Sequence, residues 1–146
     1  MKDFYLLGWR EVAHLPELGI EDIKCKIDTG AKTSALHAFF VEPFIKDGIK
    51  MLRFGIHPDQ DDTKNEIICE TEIFDQRIVT SSNGERDLRY VIKTQIIIGG
   101  RVKDIEITLT NRDNMRFRML LGREAMGDDF IVAPSLSFQN GKKVVF

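Results

Sequence analysis

The stretch Ile23–Leu36, IKCKIDTGAKTSAL, sets one carboxylate, Asp28, on an Asp-Thr-Gly-Ala run directly after an alternation of Ile, Cys and Lys. Asp-Thr-Gly is good turn composition, so the tripeptide alone reads as a turn former, a metal ligand or a catalyst. If it is a catalyst, the chemistry is specific. Two carboxylates held close share one proton, because like charges at that distance cannot both ionise. One then acts as base toward a water while the other acts as acid toward a peptide carbonyl, and their titration belongs to the pair. Gly30 allows close backbone approach, and its amide is available to donate to the carboxylate. Asp28 is the only Asp in the chain followed by Ser or Thr and then Gly, so one copy supplies half a dyad. The catalytic reading therefore requires a twofold homodimer that sets Asp28 against its own copy.

Other chemistries have less support. His14, His37 and His57 are widely scattered, and there is no His-Glu-x-x-His, no Cys-x-x-Cys and no phosphate-binding Gly-x-x-x-x-Gly-Lys-Ser/Thr loop. No metal and no cofactor are expected. His37 reads as a hydrogen-bonded structural residue, and Arg123 with Glu124 as a structural ion-pair set.

Strands are the natural carriers for such a loop. Gly19–Asp28 alternates, with Ile23, Cys25 and Ile27 to one side and Lys24 and Lys26 to the other, which predicts a half-buried strand ending at the acid. Thr33–Val41 predicts a second extended run broken by Pro43, and Ile49–Ile56 and Ile67–Phe74 predict two more. Between them His57–Glu66 (HPDQDDTKNE) reads as an exposed loop. Arg77–Thr80 leads into the turn-rich Ser81–Gly84. Leu88–Ile98 and Val102–Thr110 flank Gly99-Gly100, a strong hairpin signal. Met119–Met126 predicts a short buried strand, a glycine turn and one helical segment, and FIVAP and GKKVVF predict two terminal strands. So many short strands and so little helix imply a closed or sandwiched all-β core.

The 146 residues favour a single domain, 1–146, with its own core. With 21 Lys and Arg against 23 Asp and Glu, the net charge of -2 gives no reason to expect nucleic acid or an acidic membrane as partner. Cys25 and Cys69 sit in apolar stretches and read as buried thiols in a reducing compartment, a single bridge being the alternative. The apolar run of MKDFYLLGWREV is too short for a signal-peptide core or a membrane span, so a cytoplasmic location is expected.

Hydrophobic residues leading into Asp28-Thr29-Gly30-Ala31, with Leu-Leu-Gly-Arg downstream at Leu120–Arg123, resemble the two signatures of retropepsin-like aspartic peptidases. A closer resemblance runs through LPELGI, KIDTGAKTSALHA, SSNGE, RYVIKT and LTNRDNMRFRMLLGREAM. These are similar to a bacterial and archaeal retropepsin-like family that carries the label "ATP-dependent zinc protease", some members of which are associated with the ligase that adds glutamates to a ribosomal protein. The residues here support neither the zinc nor the ATP of that label. The resemblance implies an all-β, retropepsin-like (acid protease) closed barrel with one short helix. It implies Asp28, Thr29 and Gly30 as the catalytic loop, with the Thr29 hydroxyl bonding across to the partner loop. Leu121, Gly122 and Arg123 become its structural support. Ala31, Lys32, Ser82 and Glu85 are candidates to line the substrate cleft, although Ser81–Glu85 reads equally well as a plain hairpin tip.

Lys32 departs from the retroviral pattern, where an Asp in that position pairs with the Arg of the Gly-Arg element. Arg123 then needs another partner, for which Glu85 and Glu124 are candidates. A Lys beside the cleft favours acidic side chains on the substrate. The first functional reading is a homodimeric aspartic endopeptidase acting on a peptide or a polyglutamate-tailed protein. A non-catalytic binding or regulatory module of a protein-glutamylation system is the second, and a zinc-dependent protease the third.

Overall fold

The computed structural model describes residues 3–60, 62–80, 83–111 and 116–145. Twelve strands, a 3-10 turn at Pro16–Leu18 and one short helix follow each other along these residues. The strands are β1 (Phe4–Leu15), β2 (Ile20–Ile27), β3 (Ser34–His37), β4 (Phe40–Lys46), β5 (Ile49–Ile56), β6 (Ile67–Glu72), β7 (Asp75–Thr80), β8 (Arg86–Ile98), β9 (Arg101–Thr110), β10 (Met119–Leu121), β11 (Phe130–Ser137) and β12 (Lys142–Val144). Helix α1 is Arg123–Met126.

The larger sheet runs β11-β1-β2-β10-β3-β9-β8-β7, with β12 also on β1. It curls until β8 meets β1 again at the pair His14↔Ile97. A second sheet, β4-β5-β6, packs its inner face on the same core. Leu7, Leu15, Ile23, Leu36, Phe54, Ile92, Ile96, Ile107, Met119 and Leu121 meet there, almost completely removed from water. Burial of this continuous apolar set, not local propensity, is what holds strands of three to thirteen residues in place.

β2 follows its alternation: Ile23, Cys25 and Ile27 are buried and Lys24 and Lys26 exposed. The Gly99-Gly100 hairpin forms as expected. Both glycines have positive φ, 57° and 72°, the pairing that a two-residue turn between twisted strands demands. Cys25 and Cys69 are free buried thiols, and burial pushes them up to about 12 and about 11 respectively.

Three expectations change. Thr33–Val41 is two strands, because the chain changes sheets in the middle. His37 and Ala38 donate to Arg118 and Thr110 of the large sheet, whereas Phe39 donates to Gly55 of the small one. Pro43 does not break the second strand; it sits within β4, opposite Leu52, and β4 is an edge strand with one side free of ladder bonds. His57 and Pro58 are buried, not exposed, and the His57 ring stacks on Phe39 with centroids 4.1 Å apart.

The N-terminal segment, for which no strand was expected, is the most connected strand of the sheet, with β1 pairing β2, β8, β11 and β12. Inside it Glu11 is 1% exposed, and its carboxylate accepts from the amides of Gly8 (2.7 Å), Gln139 (2.8 Å) and Asn140 (3.0 Å). This carboxylate ties the first strand to the turn between β11 and β12.

Candidate active site

Asp28 is the first residue after β2 and is half-buried. Its neighbour in space is β10, which runs parallel to β2 with Leu121 beside Ile27 and antiparallel to β3. The sequence-distant Leu120–Arg123 element is thereby brought against the Asp-Thr-Gly loop. Leu121 accepts the Asp28 amide at 2.9 Å. The Arg123 amide donates to the Ala31 carbonyl at 2.8 Å and the Glu124 amide to the Lys32 carbonyl at 3.1 Å. Arg123 Nη1 donates to the Thr29 carbonyl at 3.0 Å.

Within the loop the Gly30 amide donates to Asp28 Oδ1 at 3.0 Å, and the Ala31 amide donates to the Asp28 carbonyl at 3.2 Å. The carboxylate is thus oriented by the turn that carries it, while the Thr29, Ala31 and Lys32 carbonyls accept from Arg123 and Glu124 of α1 and β10 accepts the Asp28 amide.

Gly122 makes the contact possible. A Cβ there would lie 2.7 Å from the Thr33 carbonyl carbon and 2.9 Å from the Lys32 oxygen, so only glycine lets the two backbones approach this closely. Its amide donates to Ser34 Oγ at 3.0 Å. Ser34 lies just past the Asp-Thr-Gly loop in the sequence. It is 1% exposed, and its carbonyl also accepts from Thr108 Oγ1 at 3.3 Å, so it joins β3, β9 and β10. A buried Ser just after a turn was the only hint of this role.

Arg123 takes neither of its expected partners as a described salt bridge: it engages backbone, and Glu124 lies 3.7 Å from Lys32 instead. Local geometry explains the exchange. A Lys at position 32 cannot attract the guanidinium, so Arg123 turns to a carbonyl and Lys32 takes the carboxylate of the same helix. Glu85 is exposed at the foot of the β7–β8 connection, its amide donating to Asn83 Oδ1 at 3.1 Å. Ser82 lies outside the described residues.

A cleft of about 580 Å³ opens beside the loop. Ala31, Lys32 and Thr33 form one wall and Arg77, Ile78, Val79 and Thr80 of β7 the other, with Arg89 and Thr108 between them. The structure therefore brings Ala31 and Lys32 together with a strand, β7, that carried no site prediction. Glu85 is not among the residues lining this cleft.

The histidines do not assemble into a metal centre. His14 Nδ1 faces Glu21 and Asp22, His57 stacks on Phe39, and His37 lies in β3. Among the described residues there is no group of three or more His, Cys, Asp and Glu placed to hold an ion. The residues thus do not fit the zinc of the family label.

A mostly β chain with an Asp-Thr-Gly loop locked by a Leu-Gly-Arg element has the organisation of a retropepsin-like protein. The chain belongs to the RimB-like family, described as retropepsin-like aspartic endopeptidase RimB, whose profile matches residues 6–143. It is 45% identical over 139 residues to a protein of Shewanella pealeana named "Probable alpha-L-glutamate ligase", covering 95% of this chain and 30% of that one. A protein of the same name from Desulfotalea psychrophila is 43% identical over 137 residues, with 94% and 30% covered. The chain thus spans about a third of the length of these curated relatives. Among solved structures, a Legionella pneumophila protein described as of unknown function matches with a TM-score of 0.76 and 30% identity, over 93% of this chain and 98% of that one.

Proposed function

We propose that the protein is an aspartic endopeptidase whose dyad is made of Asp28 from two copies of the chain in a closed, barrel-like fold, and that it cleaves Glu-rich peptides in the cytoplasm. The observation that carries this reading is the Asp28 carboxylate, half-exposed and held by the Gly30 amide on a loop braced from Leu121 to Glu124. Membership in an aspartic endopeptidase family supports it. In the assembled dyad one Asp28 takes a proton from the bound water as its oxygen adds to the peptide carbonyl, and the other gives its proton to the carbonyl oxygen. The tetrahedral adduct then collapses, the C–N bond breaks and the leaving amine receives a proton.

The Glu preference rests on Lys32 at the cleft wall. Its pairing with Glu124 is long and solvent-exposed, so it holds the ammonium weakly and leaves it able to meet a substrate carboxylate. Relatives in which a similar segment forms part of a glutamate ligase make a glutamate-tailed protein a natural substrate.

Two measurements test this reading. Asp28→Asn abolishes hydrolysis of oligoglutamate, with a loss of about a thousandfold or more, while sedimentation still shows the wild-type dimer. A monomer at working concentration, or an active Asp28→Asn protein, refutes it. Lys32→Asp lowers cleavage of oligoglutamate more than that of a neutral peptide of the same length, and equal losses rule out the charge preference.

The second reading is a non-catalytic module that modulates a glutamate ligase. The ligase names of relatives three times longer favour it. A stable, folded monomer that hydrolyses nothing from acid to neutral pH decides for that module.

A further inference from the structure

We propose that Arg89 is the specificity-determining residue of the cleft, binding the side-chain carboxylate of a glutamate in the substrate. The inference deepens the peptidase reading, on which only its cleavage readout depends.

Arg89 lies on β8 directly opposite Arg77 on β7, and both line the cleft. Two like charges facing across a strand pair destabilise it, so the arrangement calls for compensation. Arg77 receives it in full: Asp75 lies 2.9 Å from its Nε and Glu106 2.5 Å from its Nη2. Both contacts hold its guanidinium above the ordinary arginine range.

Arg89 does not. Only 9% of its side-chain surface is exposed, yet its single polar partner among the described residues is Asp87, 3.3 Å from Nε. Asp87 itself is half exposed to solvent. The contact uses the side of the guanidinium, and among the described residues Nη1 and Nη2, the two ends of the fork, take no further carboxylate.

A largely buried side chain whose guanidinium lines an open cleft, with only one exposed carboxylate for company, is a poor stabilising device. An apolar side chain of similar volume would do better in that position. The fork instead has the geometry that binds a carboxylate through two parallel N–H···O bonds. Lys32 stands at the opposite wall, on the loop that follows Asp28. An extended acidic peptide passing Asp28 would meet Lys32 at the exposed edge and Arg89 at depth. Desolvation makes the deeper contact the more selective one.

The test uses binding to full-length Asp28→Asn protein, which separates recognition from cleavage. Fluorescence anisotropy measures C-terminally amidated hexaglutamate and hexaglutamine against Asp28→Asn, and against the same protein carrying Arg89→Met or Arg89→Lys. The amidated ends exclude the main-chain carboxylate, and hexaglutamine with a free C-terminus is the control for it. Asp28→Asn is expected to prefer hexaglutamate, and the preference falls about tenfold or more in Arg89→Met, since a bond to a charged group is lost. Arg89→Lys keeps the charge without the fork and falls in between.

An unchanged preference in either folded variant overturns the proposal. So does equal binding of the two amidated peptides to Asp28→Asn, or binding that follows the free C-terminus. If Arg89→Met does not melt cooperatively, Arg89→Lys decides alone. Arg89-dependent binding without hydrolysis by the wild type sinks the peptidase reading and leaves Arg89 in place. Wild-type hydrolysis of hexaglutamate that Arg89→Met retains in full does the reverse.

Discussion

At the scale of single residues, the side chains that hold the loop and the first strand in place are small or buried. Ser34 supplies the acceptor for the Gly122 amide, and Ser34→Ala leaves that buried donor unsatisfied at about 1–3 kcal/mol of stability. Because the Gly122 backbone lies against Lys32 and Thr33, the same change should lower kcat more than its effect on urea unfolding implies, which paired kinetics and denaturation can check. Glu11 accepts three backbone amides, so Glu11→Ala should remove about 2–4 kcal/mol and release the β11–β12 turn, read as faster amide exchange at Gln139 and Asn140. The thiols give a pH dependence with a definite sign. Burial raises Cys25 to about 12 and Cys69 to about 11, so above the ordinary thiol range the unfolded chain sheds protons that the folded chain keeps. Stability is then full below about pH 8.5 and falls above it by about 1.4 kcal/mol per pH unit per thiol. Denaturation at rising pH should show this slope in the wild type and lose it in the Cys25→Ala/Cys69→Ala protein.

At the scale of elements, one three-residue strand has more effect than its length suggests. β10 sits between β2 and β3, and its continuation into α1 closes over the Asp-Thr-Gly loop. Gly122→Ala forces those backbones apart; overpacking of this kind typically removes about 1–3 kcal/mol. The expected signature is a folded protein of lowered melting temperature whose Asp28 loop exchanges amide protons faster. Unchanged exchange would mean that β10 does not brace the loop. The β7–β8 hairpin is the second element that matters, since β7 supplies the far wall of the cleft although its sequence, DQRIVT, carries no motif.

At the scale of the molecule, two properties follow from the half-site and the cleft. On the proposed two-copy dyad, hydrolysis should rise with protein concentration, because one chain holds one Asp-Thr-Gly. Hydrolysis of Glu-rich peptides should weaken as salt is raised from about 0.05 to about 0.5 M, with Lys32 screened more than the buried Arg89. A neutral peptide should show little salt dependence in the same assay.

The sequence by itself determined the site motif, the β2 alternation, the Gly99-Gly100 hairpin, the buried thiols and the mostly β class. Each of these is written in a short window, by residues whose period or backbone freedom has one good structural solution. It also held the pairing of Asp-Thr-Gly with a distant Leu-Leu-Gly-Arg, but only through resemblance to a family. What only the tertiary structure decided lies between windows. β1 has no clean hydrophobic period because its buried positions include Gly8 and the carboxylate Glu11, and Pro43 is tolerated because β4 is an edge. The partner of Arg123, the anchoring of Ser34 and the meeting of Arg77 with Arg89 all depend on strand register across the sheet. Register is set by global burial of the core, and no local stretch of sequence contains that sum.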